Sequence, residues 1–237
     1  MLPRRFGLSG MKVDRRDKPP LATPYTPMAQ SLRRLYSSVS GHQPHLTHID
    51  SAGRASMVNV ADKTPTKRSA TATGRIFIPQ VAYELIIPSC TNGGDGTSTE
   101  ETKTKVRGKG DVLTIAQLAA IMGAKRTSDL IPLCHPLALS HVSVMLTPEI
   151  HQCDDSNGVV YSIFCRATVA CEGKTGVEME ALTAVSVGAL TVWDMLKAVA
   201  GKEMIIGDIT VTRKEGGKDG DFVKEQETTQ SSCYRGT

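Results

Sequence analysis

Residues 175–200 constrain the fold more than any other stretch of this 237-residue chain. The run is apolar and rich in alanine, carries charge only at Glu178, Glu180, Asp194 and Lys197, and is followed by Gly201. Such a pattern predicts one long α-helix, about 36 Å from end to end at 1.5 Å per residue. Thr175-Gly-Val-Glu178 fits a capping box, with Glu178 as the reciprocal cap. Thr183, Ser186, Thr191, Asp194 and Lys197 interrupt the apolar stretch. It therefore lacks the roughly 20 unbroken apolar residues of a membrane span, and no membrane helix is expected.

Upstream of that helix the apolar period alternates in kind. Residues 75–87 are β-rich (Ile76, Phe77, Ile78, Val81, Tyr83, Ile86, Ile87), and Pro79 implies an edge position or a bulge. Asp111 can cap a helix over 112–122, with Gly123 as its stop. Residues 140–147 alternate around Val142, Val144 and Leu146, and 159–171 alternate again after a polar Asp-Asp-Ser-Asn-Gly turn. These two segments read as a hairpin, and 205–212 supplies a last strand. The order β-α-β-β-α-β predicts an α+β, ferredoxin-like split βαβ fold: an antiparallel sheet with both helices on one face. It occupies one domain over residues 46–223, with 89–106 as an inserted polar loop and 224–237 as a disordered polar tail.

Charge is unevenly distributed. Residues 1–45 hold eight Lys/Arg against Asp14 and Asp17, a balance of +6, so the formal +4 of the whole chain leaves the remainder at −2. A slightly acidic body lacks the footprint of a general nucleic-acid binder, and any phosphate binding must come from a local cluster of cations. The arginine-, serine- and proline-containing head resembles a mitochondrial transit peptide, with Arg34-Leu-Tyr36 before Ser37 as a processing site and the mitochondrial matrix as the destination. A disordered basic tail and a plastid address are the alternatives. The six cysteines show no CxxC and no iron–sulfur spacing, and a chain with 40% hydrophobic residues can bury a core without a disulfide framework. Mostly buried free thiols in a reducing compartment are expected.

Several segments carry chemistry. Arg107-Gly-Lys-Gly-Asp111 sets Lys109 between glycines at a helix mouth, where free N–H groups and the macrodipole favour an anion. Leu130-Ile-Pro-Leu-Cys-His-Pro-Leu137 holds Cys134 and His135 in an apolar loop stiffened by two prolines. His135 suits phosphate binding or proton transfer, or is a satisfied core histidine; Cys134 suits a small buried hydrophobe. Glu180, Asp194 and Lys197 are charged positions on a helix otherwise small or apolar. Asp194 and Lys197, at i and i+3, form either a surface ion pair or a half-buried acid/base pair. Glu180 and Asp194 lie about 21 Å apart along the axis, so if both serve one small ligand, neighbouring subunits must contribute opposite helix ends. The glycine-rich, cationic segment 213–222 is suited to wrap phosphate.

Taken together, Lys109-Gly-Asp-Val, Asp129-Leu-Ile-Pro-Leu-Cys-His-Pro-Leu137, Gly173-Lys-Thr-Gly-Val-Glu-Met-Glu-Ala-Leu-Thr183, Asp194-Met-x-Lys-Ala198 and Lys214-x-Gly-Gly-Lys-x-Gly-Asp-Phe222 resemble the cyclic pyranopterin monophosphate synthase family of molybdenum-cofactor biosynthesis. Leu46-Thr-His-Ile-Asp50 and Met57-Val-Asn-Val60 match as well. The resemblance implies a lyase that converts 3′,8-cyclo-7,8-dihydro-GTP, supplied by a separate radical enzyme, to cyclic pyranopterin monophosphate with loss of pyrophosphate. It implies a homohexamer built from dimers, with active sites at subunit interfaces, and no cofactor or metal. By motif, Asp194 is the main acid/base residue and Lys109 and Lys197 are catalytic lysines. Leu133, Cys134, His135, Glu178, Met179 and Glu180 line the substrate, and Arg68, Lys214 and Lys218 touch phosphates. Glu215 and Asp219 depart from the pattern, being acidic where small residues are usual. The alternatives are a catalytically silent nucleotide-phosphate binder on the same fold and a His/Cys metal protein.

Overall fold

Small residues on β1 let a helix pass close over the sheet, and that approach organises the domain. The structure, a computed structural model, describes residues 46–87, 111–152, 158–218 and 220–224. In chain order the elements are β1 (Thr66–Ile78), α1 (Gln80–Ile86), α2 (Val112–Lys125), α3 (Thr127–Leu130), β2 (Leu139–Gln152), β3 (Val159–Gly173), α4 (Glu178–Ala200), β4 (Ile205–Glu215) and β5 (Phe222–Val223). Residues from Thr47 onward belong to one compact unit.

All strand pairs are antiparallel, in the order β2-β3-β1-β4-β5. The first four strands have the ferredoxin-like arrangement. Helix α4 packs on β1 and β3, α2 packs on β2, and the two helices pack on each other, so both cover one face. That face buries alternate residues of β3 (Ile163, Cys165, Ala167, Val169, Cys171) against Ala181, Ala184, Val185 and Val192 of α4. The opposite face carries Arg75 over the Phe164 ring at 4.8 Å and a Thr71–Thr168 hydroxyl bond of 2.9 Å. Pro148 falls in β2, an edge strand, where a residue without an N–H is tolerated.

Four sequence expectations are corrected. The first strand is not 75–87 but Thr66–Ile78, and Gln80–Ile86 is a helix. Pro79, at φ −70° and ψ 159°, has no N–H to continue the ladder and becomes the N-cap of α1. The strand's beginning is hidden because its core face is Ala70, Ala72 and Gly74 rather than large apolar residues. A β-carbon on Gly74 would lie 2.7 Å from Val185 Cγ1, so the crossing helix leaves no room for more.

Asp111 does cap α2, accepting from the N–H groups of Leu113 and Thr114 at 3.1 Å each, but Gly123 does not stop it. A β-carbon there would lie 2.9 Å from Val187 Cγ2, so this glycine serves the α2–α4 crossing. The helix ends at Arg126, where Thr127 Oγ1 donates to Ala124 O at 3.0 Å. The capping box of the long helix does not form: Val177 is the N-cap without a side-chain bond, and Thr175 Oγ1 donates to Gly176 O. Glu178 turns instead to Lys214. Finally, Phe222–Val223 adds a short fifth strand beside β4. The inserted loop 89–106, the 153–157 turn and the tail beyond Lys224 lie outside the described residues.

Candidate active site

Several pieces of chain converge on a cavity of about 800 Å³, and four of them carry the residues singled out from the sequence. The first is the proline-flanked loop after α3. Cys134 N–H donates to Ile131 O at 3.0 Å, forming a turn that presents Leu133, Cys134 and His135 to the cavity. The second is the first turn of α4, which contributes Glu178, Met179 and Glu180. The third is Arg68, on β1. The fourth is the end of β4 and the loop after it, with Lys214, Gly217 and Lys218.

Glycine makes the fourth piece possible. Gly216 and Gly217 have φ of 84° and 101°, a region that favours glycine. A β-carbon on Gly217 would lie 2.3 Å from Arg68 Nη1, so the loop folds directly over the guanidinium. Gly216 N–H donates to Asp221 Oδ1 at 2.8 Å and closes the loop. Among the described residues, the buried Arg68 Nε has no hydrogen-bond partner, so this cavity-lining side chain carries one unpaired buried donor.

The acidic side of the cavity is graded by burial. Glu178 accepts from Lys214 Nζ at 3.1 Å, and both side chains are about one-quarter exposed, at 28% and 25%. Glu180 is only 4% exposed. Burial pushes its carboxyl above the ordinary carboxylate range, Glu178 adds to that, and its own backbone N–H opposes it. Burial, then the Glu180 charge, also raises the Cys134 thiol. Cys171 is raised by the same two causes, with Arg68 opposing. Neither thiol is activated as a nucleophile; Cys165, deep in the core, is pushed up to about 12.

All nine residues read from the sequence as substrate-lining therefore share one cavity: Arg68, Leu133, Cys134, His135, Glu178, Met179, Glu180, Lys214 and Lys218. Asp194 and Lys197 do not line it. They bond to each other at 2.5 Å near the far end of α4, with side chains 70% and 62% exposed, a surface pair rather than a half-buried one. Lys109 lies outside the described residues, as does Asp219. Glu215 is outside the cavity lining, accepting from Ser69 Oγ at 3.1 Å and pairing with Arg213, so its acidity does not oppose a cavity-bound anion at close range. Sequence reasoning missed the wall formed by residues 58–64 and by Lys174. The Met57-Val-Asn-Val60 match was the available signal, but no periodicity links that segment to the cavity.

Comparison with known proteins agrees with this geometry. The sequence model of the MoaC family matches residues 57–217. A cyclic pyranopterin monophosphate synthase from Chloroflexus aggregans is 47% identical over 188 residues, covering 79% of this chain and 99% of that protein. One from Campylobacter jejuni is 44% identical over 179 residues, covering 76% and 98% respectively. One from Chloroflexus aurantiacus is 48% identical over 177 residues, covering 75% and 93%. With most of its cavity lining inside the matched span, the chain belongs to the MoaC family.

Proposed function

We propose that this chain is a lyase of molybdenum-cofactor biosynthesis that converts 3′,8-cyclo-7,8-dihydro-GTP to cyclic pyranopterin monophosphate and pyrophosphate. The observation that carries this reading is the convergence of nine residues singled out by the resemblance on one cavity of about 800 Å³, within the 300–1,000 Å³ range of small-molecule sites. Its polar lining carries both signs of charge, with Glu178 and Lys214 paired at 3.1 Å. Arg68, Lys214 and Lys218 suit a triphosphate, and their fixed cations stabilise charge as pyrophosphate departs and a cyclic phosphate closes. Glu178 and Glu180 suit the polar edge of the ring system, and burial, which raises the Glu180 carboxyl above the ordinary carboxylate range, suits it to hold a proton for transfer.

Asp194 acts as the main acid/base residue, with Lys197 and Lys109 as catalytic lysines. The Asp194–Lys197 pair lies about 21 Å along α4 from the cavity end, so it serves the cavity of a neighbouring subunit in a homohexamer built as a trimer of dimers. A separate radical enzyme supplies the substrate. Residues 1–45 direct the protein to the mitochondrial matrix, and the mature protein begins close to Ser37 or a few residues beyond; recovery of a chain retaining Met1 from purified mitochondria would argue against this.

The decisive experiment is turnover of purified protein with 3′,8-cyclo-7,8-dihydro-GTP. Stoichiometric pyrophosphate and cyclic pyranopterin monophosphate are expected. Tight binding without pyrophosphate release would overturn the proposal in favour of a silent nucleotide-phosphate binder.

A further inference from the structure

Residues 57–64 form one wall of the cavity without belonging to a helix or strand. Their shape is set internally. Asn59 Oδ1 accepts from the Ala61 N–H at 2.9 Å, an Asx turn, and Val60 O accepts from the Lys63 N–H at 3.1 Å. The Ala61 N–H is thus occupied within the segment, while its carbonyl accepts from Lys174 Nζ at 2.7 Å across 113 positions of sequence. Three residues earlier, Val58 O lies 2.9 Å from His135 Nε2, which donates to it. Among the described residues these two bonds are the hydrogen bonds that tie 57–64 to the rest of the domain.

Lys174 is well built to hold such a contact. It stands in the Gly-Lys-Thr-Gly turn between β3 and α4, where both glycines are closely approached. A β-carbon on Gly173 would meet Cys171 Sγ at 3.2 Å, and one on Gly176 would fall 1.9 Å from Glu178 Oε2. The turn thus packs beside Cys171 and the Glu178 side chain, and the Lys174 ammonium reaches from it to the Ala61 carbonyl. A charged donor to a carbonyl is stronger than a neutral one.

We infer that Lys174 is a positioning residue that latches segment 57–64 across the cavity, fixing the wall to which Val58, Asp62 and Lys63 contribute. It acts through that segment on substrate retention rather than on the reacting atoms. The kinetic consequence rests on the synthase reading above, whereas the structural consequence does not.

Hydrogen exchange on the full substrate-free chain separates the two. Lys174→Met is expected to speed exchange in peptides covering 57–64 by roughly tenfold, the factor that about one charge-assisted hydrogen bond supplies, with β1, β3 and α4 unchanged. Lys174→Arg, which keeps a cationic donor, restores most of that protection. In turnover assays Lys174→Met raises KM by about the same factor and changes kcat much less. Asn59→Ala, on an exposed loop that the core does not depend on, must loosen the same peptides by releasing the Asx turn. Unchanged exchange over 57–64 in both Lys174→Met and Asn59→Ala overturns the latch, as does a raised KM without any change in exchange, the signature of direct substrate contact by Lys174. Should the unsubstituted chain turn over no cyclic dihydro-GTP, the synthase reading fails, and the exchange result still decides the latch.

Discussion

Glu178 and Lys214, 3.1 Å apart, join the first turn of α4 to the end of β4 at the cavity wall. Gly176 guards that contact, because a β-carbon there would lie 1.9 Å from Glu178 Oε2. Gly176→Ala should therefore swing the carboxylate away from Lys214 while costing the fold about 1 kcal/mol or less, since a side-chain end can move aside. Lys214→Ala should lower kcat/KM by about 10²-fold, the scale of removing one donor from developing charge. Steady-state kinetics beside thermal melts would check both; wild-type kinetics in either variant would refute the role of the pair.

Glu180 is nearly inaccessible, and its carboxyl is raised by burial. A group whose folded pKa is raised binds its proton more tightly in the folded state than in the unfolded one. Its contribution favours folding at low pH and declines as pH rises from the ordinary carboxylate value, 4.5, through the raised value. Glu180→Gln removes that decline. The variant should gain stability relative to the parent as pH rises from 4 to 8, while losing activity. Urea unfolding midpoints across this range test the sign, and parallel pH curves for the two proteins would contradict it.

Lys109 and Asp194 offer a test of shared sites. If they reach one cavity from different chains, co-expressing Lys109→Ala with Asp194→Asn should rebuild some cavities with neither lesion. Recovered activity of up to about one quarter is expected for random two-chain mixing. Mass spectrometry must verify the mixed oligomers. No recovery in them would mean that both residues act from the same chain.

Gly123 lies inside α2, where alanine would ordinarily stabilise a helix by about 1 kcal/mol. Here a β-carbon would sit 2.9 Å from Val187 Cγ2, and a β-branched neighbour has few rotamers in which to move. Gly123→Ala should instead destabilise by about 1 kcal/mol or more. A raised denaturation midpoint would show that the α2–α4 crossing has slack.

The amino-acid order alone determined the βαββαβ succession, because strand and helix periods leave separate marks on β2, β3, α2 and α4. It also carried the cavity's chemical residues, since Cys134, His135, Glu180 and Lys214 stand in short motifs whose composition is unusual for a core. It did not reveal where β1 begins or what Gly74 and Gly123 do. Their smallness answers side chains of Val185 and Val187 that are distant in sequence. Nor could it separate the two charged ends of α4. Glu180 became a buried cavity residue because the first turn of α4 faces the 131–138 loop and the end of β4, whereas Asp194 lies on the exposed side of a helix end whose Val192 and Leu196 are buried. The partner of Glu178 was likewise decided in three dimensions. A local cap and a cross-domain ion pair compete for the same carboxylate, and the antiparallel register that brings Lys214 beside the first turn of α4 settles the competition.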